Sequence, residues 1–332
     1  MSYEKPLVSV HMITYNHEKF IAQAIEGVLM QKTDFPFELI IGEDCSTDRT
    51  REIVVDYANR YPEIIKPILH EKNVGAKANS KSVREACTGK YVAVCEGDDY
   101  WIDPLKLQKQ VDFMESHPNF SMCFHRAKKV DVQGKELGTF WPKKSWSKRV
   151  TGILDLLNEN YISTQTVLYR NYPKANSHKS KLSDGLFFGD WALHFVNAEK
   201  GDIFFFDEVM AAYRVTDQGA TNSTPIEQKA TDIIEFYERI RTYFGDRISE
   251  VILNNCRNRY VANLASMAAA EGNFELAREL LNRVKKEAQS TDTKTRITIA
   301  KAQIAVNLPK LYSALRYSKQ WLIKKLNTGV RN

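Results

Sequence analysis

Cysteine is scarce in this 332-residue chain, and its placement excludes more than its number does. Cys45, Cys87, Cys95, Cys123 and Cys256 are odd in number, widely spaced and mostly set in apolar segments, with no C-x-x-C pair. They read as reduced core thiols of a cytosolic protein. Long uncharged apolar runs are missing too, and residues 1–6 carry no basic region leading into one, so neither a membrane span nor a secretion leader is expected. No G-x-G-x-x-G follows the first apolar run and no G-x-x-x-x-G-K-[ST] occurs anywhere, which excludes dinucleotide and P-loop readings. Acidic residues vanish after Asp292, where nine Lys or Arg remain; the rest of the chain holds 38 basic against 41 acidic residues. The net charge of +6 therefore belongs to the tail, as does any partner that it implies.

What is present is a 43% hydrophobic content, enough for one large or two modest domains and incompatible with disorder of the bulk. The stretch at 92–101 organises the reading. Val92, Ala93, Val94 and Cys95 suit a strand buried on both faces, and Gly97 lets the backbone leave the sheet. Glu96, Asp98 and Asp99 then stand at the strand's carboxyl end, where open α/β sheets bind ligands. Clustered carboxylates are accommodated by a hard cation or by several donors. The alternative is a solvated acidic turn, with Asp103-Pro104 starting the next helix.

The chain before this stretch alternates strand, polar loop and helix. Strands are expected at 7–13, 37–41 and 64–69, and helices carry Phe20, Ile21, Ala24, Ile25 and Val28, then Ile53, Val54, Tyr57 and Ala58, then residues 77–87. This order predicts a right-handed, mostly parallel sheet whose loops at 14–16, 43–48 and 96–101 converge on one edge. A base near Tyr15, Asp44 accepting from its ring N–H, and Asp98 and Asp99 at ribose and diphosphate make one coherent site.

Tyr15-Asn16, Glu43-Asp44-x-Ser46-Thr47-Asp48-x-Thr50, Asn73-x-Gly75, Gly89-x-Tyr91 and Glu96-x-Asp98-Asp99 fall in order over the first 125 residues and resemble the signature series of family 2 glycosyltransferases. The resemblance implies a GT-A type three-layer α/β/α fold with a mostly parallel mixed sheet, and an inverting transferase dependent on a nucleotide-diphospho-sugar, UDP-linked by preference. It implies a divalent cation, Mn²⁺ or Mg²⁺, held by Asp99. Nucleotide contacts fall to Thr14, Tyr15, Asn16, Asp44 and Asp98, with Lys81 a candidate for the diphosphate. The acceptor is expected to be a hydroxyl of a cell-surface polysaccharide or lipid-linked glycan.

Inversion needs one general base opposite the leaving group, and Asp190, between an aromatic run and an apolar helix, is the candidate. It matches the base of the family's Glu-Asp pair, with Gly189 in place of the acidic neighbour; the competing reading is a helix N-cap. Trp101 and Trp191 can each stack on a sugar or fill the core. The segment 128–149 reads as a loop or hairpin supplying acceptor contacts, and 202–207 with 210–215 as an antiparallel strand pair. The His that the family often places after the pair matched by Tyr213-Arg214 is missing, as is Q-x-x-R-W, which accompanies processive members; addition of a single sugar follows.

Residues 1–222 are thus expected to form the catalytic domain, with a nucleotide half to about 125 and an acceptor half beyond, and 223–332 a C-terminal helical region. Residues 261–270 and 274–284 read as a hairpin turning at Glu271-Gly-Asn273. A terminal helix over about 308–326 has a basic edge; it either lies on an anionic inner-membrane surface or packs on the protein. No nucleic-acid partner is expected, and the location is cytoplasmic with this peripheral membrane contact. The rival functions are a sugar-nucleotide nucleotidyltransferase, which would want a Gly-rich, Arg-containing loop where Ile13-Thr-Tyr-Asn16 stands, and a non-catalytic nucleotide-binding module with a helical partner-binding tail.

Overall fold

Burial on both sides of the backbone makes the first strand an interior one. In the computed structural model, which describes residues 5–172, 182, 185, 186, 188–216, 224–287 and 291–309, β1 (Val8–Thr14) runs parallel between β2 (Phe37–Glu43) and β4 (Tyr91–Val94). β3 (Ile65–Leu69) continues the parallel set beyond β2. Their connections are α1 (Ile21–Leu29), α2 (Thr50–Arg60) and α3 (Ala76–Ala86). Ile21, Ala24, Ile25 and Val28 recur at helical spacing and all are fully buried, so α1 is held by its apolar stripe. The parallel order leaves the ends of β1, β2 and β4 on one edge, as the alternation requires.

The sheet then becomes mixed. After β5 (Tyr100–Trp101) and α4 (Lys106–Ser116) come β6 (Phe120–Val130), β7 (Glu136–Trp141), β8 (Val150–Thr151), α5 (Ile153–Leu156), β9 (Leu168–Arg170), α6 (Gly189–Ala198) and β10 (Asp202–Arg214). The strand order is β3-β2-β1-β4-β9-β6-β10-β5, with β7 on β6 and β8 on β10, in a three-layer α/β/α arrangement. β9 is antiparallel to both β4 and β6, and β10 is parallel to β6.

Residues 202–214 differ from the expected antiparallel pair: they form one strand whose register shifts between Phe206 and Val209. The break expected between 207 and 210 is a bulge at Asp207 and Glu208, held by Arg126 and by Lys109 at 2.6 Å from Glu208. Segment 128–149 contains the hairpin of β6 and β7, turning at Asp131 to Lys135.

The chain divides into two compact units, Met1–Ser180 with Gly189–Asn222, and Lys181–Phe188 with Ser223–Asn332. The second is helical: α7 (Ile226–Phe244), α8 (Glu250–Ala270), α9 (Phe274–Glu287) and α10 (Thr293–Asn307). α8 and α9 form the expected hairpin, with Gly272 in the left-handed region at φ 84°. Asp292 caps α10 by accepting from the Thr295 N–H at 2.6 Å. From residue 310 on, the expected basic terminal helix lies outside the described residues.

Candidate active site

Three polar loops meet at the carboxyl edge of β1, β2 and β4, and their own motif residues tie them together. The Asp44 N–H donates to the Thr14 carbonyl at 3.1 Å, and the Asp44 carboxylate, buried, accepts from the N–H groups of Val74 (2.7 Å) and Gly75 (2.9 Å). Asp44 thus joins the end of β2 to the start of α3. Asn16 has a positive φ of 55°, which suits an Asn, and its Oδ1 accepts from the Thr47 N–H at 2.8 Å while its own N–H donates to Ser46 Oγ at 3.0 Å. Farther along, the N–H groups of His17 and Glu18 donate to Thr50 Oγ1 and Asp48 Oδ2.

The acidic loop lies against the end of β1. The Gly97 N–H donates to the Ile13 carbonyl at 3.0 Å, and a Cβ on Gly97 would come within 2.7 Å of Thr14 Oγ1. Only glycine fits this approach without displacing Thr14. Thr14 is buried and Tyr15 is 40% exposed, so the loop presents a free aromatic face above a packed base.

Arg214 closes the loop from the far side of the sheet. Its backbone N–H donates to Asp99 Oδ1 at 2.6 Å, and its buried guanidinium donates to the carbonyl of Asp98 (2.9 Å), to Gln23 Oε1 (2.7 Å) and to the carbonyls of Asp131 and Val132 (both 3.2 Å). One side chain thereby links β10, α1, the β6 to β7 turn and the acidic loop. Asp99 is buried beside Asp98 and Glu96; burial first, then these two charges, push its carboxyl well above the usual range despite Arg214. Glu96 is pushed up to about 8 by burial and by Asp98 and Asp190. Four carboxylates, Glu96, Asp98, Asp99 and Asp190, therefore share one field. Asp190 sits in the first turn of α6, and its Oδ2 accepts from Asn160 Nδ2 at 2.8 Å.

Not every candidate joins this group. Lys81 is exposed on α3, and its amine stands 3.9 Å from Glu85 of the same helix. Trp101 and Trp191 take their core roles: both are essentially fully buried, their indole N–H groups donating to the carbonyls of Gln165 (2.9 Å) and Leu156 (3.0 Å). Among the described residues no three His, Cys, Asp or Glu side chains are arranged as a closed metal cage. The carboxylate of Asp98 has no hydrogen-bond donor among the described residues, and Asp99 keeps one oxygen beside it, a donor set that suits a cation taking one or two carboxylates and completing its shell with phosphate oxygens and water. The sequence reading missed Glu96 as the link to Asp190, and Asn160. Nothing in a lone Asn at 160 signals a partner 30 residues away.

The model of glycosyl transferase family 2 matches residues 9–179, just over half of the chain. An uncharacterized protein of Mycobacterium tuberculosis is 40% identical over 222 residues, which is 67% of this chain and 62% of that protein, so the chain spans less than two thirds of this relative's length. Among solved structures, S. aureus TarS in complex with UDP superposes with a TM-score of 0.62 at 20% identity, over 94% of this chain and 91% of that one. The mannosyltransferase PcManGT of Pyrobaculum calidifontis, in complex with GDP-Man and Mn²⁺, gives 0.54 at 15% identity, over 94% and 88%. At these identities the structural likeness is one of fold, of the GT-A type. With the family model spanning its strands β1 to β9 and the acidic loop, the chain belongs to glycosyl transferase family 2.

Proposed function

We propose that the unit built on residues 1–222 transfers one sugar from a nucleotide-diphospho-sugar, UDP-linked by preference, to an acceptor hydroxyl with inversion at the anomeric carbon. The observation that carries this reading is the meeting of the loops of β1, β2 and β4 at a carboxylate cluster that includes Asp190. Thr14, Tyr15 and Asn16 border the nucleoside, with the ring of Tyr15 available for stacking. Asp44 spends one lone pair of each oxygen on Val74 and Gly75, and its remaining acceptor capacity serves the base N–H. Asp98 receives the ribose hydroxyls. Lys81 has only its place in the sequence to support a diphosphate role.

A Mn²⁺ or Mg²⁺ ion would be held by Asp99 with Asp98 beside it, and when bound it neutralises charge on the departing nucleoside diphosphate. Without a cation, the charge of Asp98 opposes ionisation of Asp99, so a cation would relieve a repulsion already built into the loop. Asp190 takes the acceptor proton: Asn160 fixes Oδ2, which aims the carboxylate and leaves Oδ1 to receive it. The complexes of TarS with UDP and of PcManGT with GDP-Man and Mn²⁺ support a nucleotide donor and a divalent cation for this fold. The acceptor class, a surface polysaccharide or its lipid-linked precursor, rests on family membership, and the cytoplasmic location on the reduced thiols; no described helix is long and apolar enough to cross a membrane.

The test is turnover in Asp190→Asn. Loss of transfer by about a hundredfold or more, with nucleotide binding retained, is the result expected of a general base. Unchanged turnover removes Asp190 from the mechanism.

A further inference from the structure

The loop between β7 and α5 carries charge that the donor chemistry leaves unused. From Glu136 to Asp155 the sequence has no other acidic residue, and this stretch sets Lys143, Lys144, Lys148 and Arg149 around Trp146. Exposed basic loops are ordinarily loose, since nothing repays the ordering of their backbone. Here the backbone is held from beneath. The buried guanidinium of Arg126 donates to the carbonyls of Pro142 (2.7 Å), Lys143 (2.5 Å) and Trp146 (3.2 Å), its charge met by Asp207 at 2.9 Å. Trp146 stacks on Tyr161 with ring centroids 4.5 Å apart and planes inclined by 21°.

On this fixed backbone the side chains of Lys143, Lys144 and Arg149 are exposed, and among the described residues none of the three is in an ion pair. Lys148 alone is neutralised, by Asp155 at 2.5 Å. Lys129 of β6 adds another amine without an acid partner among the described residues, 4.6 Å from the Trp141 ring centroid; burial and then the charge of Lys143 hold it below the ordinary lysine range. Like charges gathered on a rigid scaffold repel one another, and an anion relieves that repulsion. The position of the loop matters as much as its charge. Tyr161, the ring under Trp146, directly follows Asn160, whose amide holds Asp190.

We propose that loop 142–149 recognises a negatively charged acceptor glycan, one bearing carboxylates or phosphodiesters along its backbone, and delivers its hydroxyl to Asp190. The delivery step rests on the reading of Asp190 given above; the recognition of charge does not. Neutral sugars gain nothing from unpaired lysines, whereas each anionic repeat gains one or more contacts that salt weakens.

The experiment titrates the full chain calorimetrically with three oligomers of equal length, an oligogalacturonate, a glycerol phosphate oligomer and a neutral malto-oligosaccharide, and repeats each with the double variant Lys143→Gln/Lys144→Gln. Both side chains are exposed, so the fold is retained, and the melting shift with a nucleoside diphosphate reports the donor site separately. The expected result is binding of an anionic oligomer but not of the neutral one, weakened about tenfold in the double variant and by added salt. Which anionic oligomer binds tells carboxylate from phosphodiester. Equal binding of the neutral oligomer, binding unchanged in the double variant, no binding of any oligomer, or equally tight binding of an oligonucleotide of matched charge would each overturn the proposal. If anion binding stands while Asp190→Asn leaves transfer intact, the surface is retained and the base assignment alone falls.

Discussion

Replacing Arg214 with Met keeps most of the aliphatic stem and removes the guanidinium, whose carbon lies 4.5 Å from the Phe20 ring centroid and 5.3 Å from that of Tyr100. Four hydrogen bonds are lost, two short (Gln23 at 2.7 Å, the Asp98 carbonyl at 2.9 Å) and two long (Asp131 and Val132, both 3.2 Å); the bond from the backbone N–H to Asp99 survives. A hydrogen bond to a charged group nets about 1.5 to 3 kcal/mol, so the two short ones alone suggest a loss of about 3 to 5 kcal/mol once overlap is allowed for. Four of the five tryptophans, Trp101, Trp141, Trp146 and Trp191, lie in the first unit, so their fluorescence in a urea titration follows that unit's unfolding. A second readout comes from Asp99, whose carboxyl the Arg214 charge holds down against burial and its acidic neighbours. Without that charge Asp99 ionises at higher pH, and protection of the protein by Mn²⁺ should need a correspondingly higher pH. A loss below about 1 kcal/mol, or an unchanged pH dependence of cation protection, would show that Arg214 is not the link between the acidic loop and the sheet.

Two further outcomes follow from packing and burial. Gly97→Ala places a Cβ 2.7 Å from Thr14 Oγ1 and 2.8 Å from Thr14 Cβ, so nucleotide affinity should fall at least about tenfold as the loops part, whereas Gly152→Ala, with open space around its Cβ, should bind normally; calorimetric titration with nucleoside diphosphates compares them. Lys106 is fully buried with its amine 2.7 Å from Gln110 and 4.0 Å over the Trp101 ring, and burial lowers it to about 7, with Cys123 and Cys95 as the facing groups. Because its folded value is depressed below the ordinary 10.5, the stability it contributes is complete above 10.5 and is lost as pH falls through 7. Wild type should therefore gain on Lys106→Met by about 1.4 kcal/mol between about pH 6 and pH 8, measured by urea unfolding at each pH; a constant difference would mean that the amine titrates normally.

The first half of the fold was legible because its strands and helices differ sharply in pattern: β1, β2 and β4 are short, mostly apolar runs buried on both faces, and α1 has a clean stripe. The loops were legible because their motif residues are also the structural ties: Asn16 accepts from Thr47, Asp48 from Thr50, and Asp44 from Val74 and Gly75. Polar residues inside strands hid the second half. Asp207 and Glu208 look like the end of one strand and the start of a turn, yet ion pairs with Arg126 and Lys109 keep them within β10. The continuation of β6 through Arg126, Lys128 and Lys129 was hidden for the same reason. Trp101 and Trp191 were ambiguous because an indole serves a sugar site or a core equally well, and only the carbonyls of Gln165 and Leu156 decide for the core. Arg214 was visible as half of a Tyr-Arg pair, but its partners at Gln23, Asp98 and Asp131 are far apart in sequence.

The account turns on the acidic loop as a donor site, and one measurement addresses it directly: the melting temperature of the full chain with UDP, GDP, CDP and dTDP, each with and without Mn²⁺, in wild type and Asp99→Ala. A ligand that binds only the folded state raises that temperature. The prediction is a cation-dependent rise with one nucleotide, UDP first, abolished in Asp99→Ala. No rise with any nucleotide, or a rise that survives loss of the Asp99 carboxylate, would contradict it.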